Sequence, residues 1–99
     1  MSNMFKDCSL LTNLKIDHFD VSFVQYMDQM FYNCKSLSSL NINDFKGMNI
    51  ISMQEMFHNC FSLTSLNFNN FIVSSVINLE KMFYSCYKLK SLNLANFNT

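Results

Sequence analysis

Apolar residues return along this chain at one fixed interval of 26 positions. Met-Phe occurs at Met4, Met30, Met56 and Met82, and a cysteine follows each time, at Cys8, Cys34, Cys60 and Cys86. Two leucines keep the same step, Leu11, Leu37, Leu63 and Leu89, then Leu14, Leu40, Leu66 and Leu92. A period of this length marks a repeat array, in which one unit cannot bury its apolar face alone and leans on its neighbours. Written from the Met, the unit is M-F-x-x-C-x-x-L-x-x-L-x-[I/F/L]-x-x-F-x-x-x-x-[V/I]-x-x-[M/L]-x-x. It divides residues 1–99 into the end of a truncated repeat (1–3), repeats at 4–29, 30–55 and 56–81, and an incomplete one at 82–99.

Two periodicities alternate inside each unit. Leu40-Asn41-Ile42-Asn43 alternates apolar and polar residues at period two, as do Leu14-Lys15-Ile16-Asp17, Leu66-Asn67-Phe68-Asn69 and Leu92-Asn93-Leu94-Ala95. This pattern predicts four short strands, side by side in a parallel sheet. The rest of the unit changes step. Ile50, Met53, Phe57 and Cys60 fall at the spacing of one helix face, and so do Val24, Met27, Phe31 and Cys34, then Val76, Leu79, Phe83 and Cys86. Helix-favouring Gln54, Glu55, Glu80 and Lys81 fill the outward places, and Asn33 and Asn59 suit a left-handed helix end. Phe19, Phe45, Phe71 and Phe97 mark the turn between the halves. The expected architecture is an α/β solenoid, with a parallel sheet on one face and short helices on the other.

The joined pattern C-x-x-L-x-x-L-x-[I/F/L]-x-x-F and [V/I]-x-x-[M/L]-x-x-M-F-x-x-C resembles the BspA-type leucine-rich repeat, in the 26-residue variety found in mycoplasma-type surface lipoproteins. The resemblance runs through the whole chain. It implies a right-handed, leucine-rich-repeat-like coil array, exposure at the cell surface or secretion, a role in adhesion and protein binding, and no catalytic residues. The sequence departs from the family at exposed positions. Lys15, Asn41, Asn67 and Asn93 stand where the family has an aspartate, and Lys46-Gly47-Met48 replaces its Asp-Thr-Ser.

Composition narrows the choice of partners. Seven basic and seven acidic residues leave a formal charge of zero, so no field draws the chain to nucleic acid or to an anionic membrane. No apolar run reaches the roughly 18 residues that span a bilayer. The start, Met1-Ser2-Asn3-Met4-Phe5-Lys6-Asp7, is no signal peptide. Both ends fall inside the repeat without a divergent capping unit, which reads as a fragment of a longer protein whose neighbouring repeats would be further partners.

Each candidate for chemistry has a plainer reading that outweighs it. The four cysteines never come closer in sequence than 26 residues and lie on the apolar stripe, so they read as buried, reduced thiols. His18 and His58 occupy different repeat positions without an acidic residue in step, and read as solvated surface side chains. The methionines read as core. No metal, cofactor or enzyme activity is expected.

A polar row on the outward side of the strands is the leading candidate for function: Asn41, Asn43, Asn67, Asn69 and Asn93, led by Lys15 and Asp17. Amides both donate and accept hydrogen bonds, which suits a protein or glycan ligand. The plain reading is a solubilising amide ladder. Tyr32, His58, Phe61, Tyr84 and Tyr87 form a second, aromatic group that either binds a partner or stacks between units. The functional expectation is a non-catalytic interaction or adhesion module that binds through its strand face. A structural stalk and an intracellular (cytoplasmic) scaffold remain as alternatives.

Overall fold

The computed structural model describes residues 1–16, 19–42, 49–67 and 75–93. Four strands of three residues lie where the period-two stretches begin: β1 (Asn13–Lys15), β2 (Ser39–Asn41), β3 (Ser65–Asn67) and β4 (Ser91–Asn93). They pair in parallel as two two-stranded sheets. Asn13, Leu14 and Lys15 stand opposite Ser39, Leu40 and Asn41, and Ser65, Leu66 and Asn67 opposite Ser91, Leu92 and Asn93. Between β2 and β3 the Thr64 N–H and hydroxyl both reach the Ser38 carbonyl, at 3.4 and 3.3 Å. A second line of parallel contacts joins Tyr26 to Ser52 and Ser52 to Asn78. Every pairing links a residue to the one 26 places on, so the sequence period is also the spatial one.

The α/β solenoid with a helical face, expected from the sequence, is overturned. Among the described residues there is no helix, and the sheet is two small open pieces instead of one continuous layer. The reason lies in the hydrogen bonds of the segment assigned to the helix. Met27, Gln29, Phe31 and Asn33 donate their N–H groups to the carbonyls of Ser52, Gln54, Met56 and His58, at 3.0, 2.8, 2.9 and 2.9 Å. The residues in between, Met30, Tyr32 and Cys34, donate three residues back, to Met27, Gln29 and Phe31. Met53 to Cys60 repeats the scheme against Asn78, Glu80, Met82 and Tyr84. No donor here follows the four-residue step of an α-helix. Half of the N–H groups instead bind the adjacent unit.

The backbone makes this possible by turning left-handed at every fourth residue. Gln29 and Asn33 have φ of 56° and 60°, Glu55 and Asn59 of 53° and 61°, and Lys81 and Ser85 of 52° and 63°. Such a residue ends any right-handed helix, and a helix of two turns is in any case costly to nucleate. The chain is therefore a run of tight turns whose alternate peptides point along the stack.

The core rows hold. Ile50, Met53, Phe57 and Cys60 are fully buried, as are Met27, Phe31 and Cys34 one unit earlier. A column of phenylalanine rings passes through them. Phe5, Phe31, Phe57 and Phe83 stack nearly parallel, with centroids 5.5, 5.4 and 5.8 Å apart. Phe19 packs against the core from the turn, 6.4 Å from Phe5, while Phe45, Phe71 and Phe97 lie outside the described residues.

Candidate functional site

Because the strands are three residues long, β2 presents one inward leucine between two outward polar residues, and β3 opens the same way, Ser65 outward and Leu66 inward. Leu40 and Leu66 are buried, while Ser39, Asn41 and Ser65 are exposed, and Asn13 is exposed on β1. Just before the strands, Thr12, Ser38 and Thr64 form an exposed hydroxyl row, in which Ser38 Oγ donates to the Thr12 carbonyl at 3.1 Å and Thr64 Oγ1 to that of Ser38. Lys15, Asn67 and Asn93 take the same strand position as Asn41 by backbone register. Asp17, Asn43 and Asn69 lie outside the described residues. The structure thus places four of the seven candidate residues at one position on successive strands.

On the turn side the aromatic residues do stack between units. Tyr32, His58 and Tyr84 form a column with centroids 4.7 and 4.8 Å apart, and Phe61 stacks on Tyr87 at 5.4 Å. Lysines extend both columns, Lys6 Nζ lying 5.0 Å from the Tyr32 ring and Lys35 Nζ 6.0 Å from that of Phe61. The expectation of a solvated His58 is overturned. Its ring is held between two tyrosines, and its Nδ1 is buried without a hydrogen-bond partner, 3.7 Å from Glu55 Oε1. His18 lies outside the described residues.

An amide ladder runs along the turn row. Asn59 Nδ2 donates to Asn33 Oδ1 at 2.7 Å, and Asn33 Nδ2 donates to Asp7 Oδ1 at 2.8 Å. Beside it Lys6 Nζ donates to Gln29 Oε1 and Gln29 Nε2 to Glu55 Oε2. The recurrence of Asn33 and Asn59 in step was the available signal for this ladder, and a helical reading of the segment obscured it.

The cysteines form a fourth column with a hydrogen bond at each step. Cys34, Cys60 and Cys86 donate Sγ–H to the carbonyls of Phe5, Phe31 and Phe57, at 3.1, 3.2 and 3.1 Å. Each carbonyl also accepts the N–H of the cysteine in its own unit. Burial pushes the Cys34 thiol up to about 11 and raises those of Cys60 and Cys86. A raised folded-state value favours the protonated thiol. That stabilisation is therefore complete below the ordinary value of 9.0 and is lost as the pH rises through about 11. The melting temperature should fall between these limits, and Cys34→Ala with Cys60→Ala should flatten the fall in a pH series of thermal melts. Thiol labelling in the native state at neutral pH should be slow at Cys34 and Cys60, because the thiolate is the reactive form.

Among the described residues no group of three or more His, Cys, Asp or Glu is placed to hold a metal ion, and no helix is long and apolar enough to cross a membrane. A family model described as "Mycoplasma protein of unknown function, DUF285" matches residues 1–99. The chain belongs to this family. No curated protein and no solved structure matches it. The DUF285 description carries no activity, so the exposed rows are the available guide to what the chain does.

Proposed function

We propose that this DUF285 chain is a non-catalytic interaction module of the BspA type, binding a protein or glycan through the polar row of its strand side. The observation that carries the reading is the outward placement of hydrogen-bonding side chains around a buried leucine, with Asn13 and Ser39 exposed opposite each other and Asn41 and Ser65 exposed on β2 and β3. Hydroxyls and amides at strand spacing of about 4.8 Å offer donors and acceptors to an extended backbone or to sugar hydroxyls. The turn side is less suited to a ligand within the array, since its rings cover one another's faces. Display on a cell surface or after secretion is the matching location, in a parent protein that carries further units.

The test changes Asn41, Asn67 and Asn93 together to threonine, which keeps strand preference and removes the amide. Binding to host cells or extracellular matrix should be lost while the thermal melt is unchanged. Tyr32→Ser with Tyr84→Ser is the companion. Loss of binding in the tyrosine pair, with the threonine triple variant still binding, would move the functional surface to the turns.

A further inference from the structure

The junction between units 30–55 and 56–81, in the middle of the chain, is held unevenly around its circumference. On the turn side it is tight. Phe31 and Asn33 donate their N–H groups to the Met56 and His58 carbonyls, both at 2.9 Å, and Asn59 Nδ2 donates to Asn33 Oδ1 at 2.7 Å. The Phe31 and Phe57 rings stack at 5.4 Å, the shortest of the three steps in their column.

The strand side differs. β1 pairs with β2 and β3 with β4, but no ladder joins β2 to β3. One row of amides, just before the strands, measures the difference. Ser38 N–H donates to the Thr12 carbonyl at 2.9 Å, and Lys90 N–H to that of Thr64 at 2.9 Å. Thr64 N–H stands 3.4 Å from the Ser38 carbonyl, beyond the usual range of about 2.7–3.2 Å. The hydroxyls follow suit, Thr64 Oγ1 donating to Ser38 at 3.3 Å and Ser38 Oγ to Thr12 at 3.1 Å. The core is also least well covered here. Leu40 on β2 is 9% exposed, whereas Leu37 and Leu63 are fully buried. Leu40 has a unit on either side of it, so this exposure belongs to the junction and not to an end of the chain.

We propose that this junction is a hinge, at which the strand side opens and closes between β2 and β3 while the turn side stays shut. The basis is the difference in what has to break. Opening the strand side gives up contacts already near the limit of a hydrogen bond and wets Leu40 and Leu66. Opening the turn side would break short backbone bonds, an amide ladder and a stacked ring column together. Local openings follow the weakest contacts. The strand face is then two plates, β1 with β2 and β3 with β4, each held by its own ladder. Motion at the hinge changes the distance from Ser39 and Asn41 on one plate to Ser65 on the other, so the face changes its curvature at one place. The hinge stands whether or not that face binds a ligand.

Native-state amide exchange of the whole chain tests this, followed by NMR over a series of urea concentrations below the unfolding transition. Each rate is corrected for the intrinsic rate of its residue. Thr64 should be protected at least about tenfold less than Ser38 and Lys90, and its rate should depend only weakly on urea, because a local opening exposes little surface. Phe31 and Asn33, across the same junction on the turn side, should exchange only with global unfolding. Fraying from the two ends gives the opposite order, with the central Thr64 the best protected of its row, and that result overturns the proposal. Equal protection along the row overturns it too, as does a Thr64 rate with the urea dependence of global unfolding. If Phe31 and Asn33 open together with Thr64, the two units part as a whole and there is no hinge.

Discussion

Phe57→Ala should cost about 3–5 kcal/mol in a urea titration, a large fraction of the roughly 5–15 kcal/mol that typically holds a domain folded. The ring is fully buried and stacks on Phe31 at 5.4 Å and on Phe83 at 5.8 Å, so truncation opens a cavity in the middle of the column. Neither neighbour can move in to fill it. Each is held on its own side by backbone bonds, Phe31 donating its N–H to the Met56 carbonyl and the Phe83 carbonyl accepting the Cys86 N–H. Phe83→Ala should cost clearly less, because Phe83 is only partly buried. Equal losses at the two positions would mean that the column does not contribute as a packed stack.

The left-handed turns provide the second large effect. Asn59 has φ of 61°, and its Nδ2 donates a 2.7 Å hydrogen bond to Asn33 Oδ1 in the preceding unit. Asn59→Val should destabilise by about 1.5–3.5 kcal/mol. A β-branched residue is an outlier at positive φ, where the left-handed conformation costs roughly 1–2 kcal/mol, and the lost hydrogen bond adds about 0.5–1.5 kcal/mol. Asn59→Gly keeps the backbone conformation and removes only the amide, so its loss should stay near the hydrogen-bond figure. Asn59→Ala falls between them. If Val and Gly prove equal, the turn conformation is not what the asparagine supplies.

These two sites also show what the sequence made legible. The phenylalanine and cysteine rows were readable because burial follows the period, whatever the local backbone does. The strand positions were readable to within a residue or two, since the alternation around Leu14, Leu40, Leu66 and Leu92 has few alternatives. The helices were not real. Spacing such as Ile50, Met53, Phe57 and Cys60 fits one helix face, and it fits equally a run of turns whose side chains return inward every three or four residues. Residue preference then favoured the wrong choice. Gln29, Glu55 and Lys81 are good helix formers, yet all three are left-handed here. Their N–H groups face the next unit or the position for it, and for Gln29 and Glu55 the bonds to the Gln54 and Glu80 carbonyls offset the conformational cost. That compensation is non-local and leaves no mark in a single unit. Asn33 and Asn59 did carry a local mark, since asparagine tolerates this conformation, and the left-handed geometry expected of them is present. On the candidate surface, Asn41 was readable as exposed from strand alternation alone. For His58 the signal was its place in step with Tyr32 and Tyr84, which enclose it from the units before and after, while the reading of a solvated imidazole treated it as a lone histidine.

The alternation of hydrogen-bond donors limits how such a gene can change in length. Each odd position between Met27 and Asn33 is tied to a carbonyl 25 residues ahead, while each even one from Met30 to Cys34 is tied three residues behind. Inserting or deleting a single codon in a turn exchanges the two roles for every residue downstream in that turn. Peptides meant for the neighbouring unit would then face inward, and after a deletion the left-handed positions would fall on the methionine and cysteine of the core. Duplication or loss of a whole 78-nucleotide block disturbs none of these ties, because the junction it creates is one the protein already contains. Recombination between units is therefore the mutation this backbone tolerates, and a one-residue slip is the one it does not.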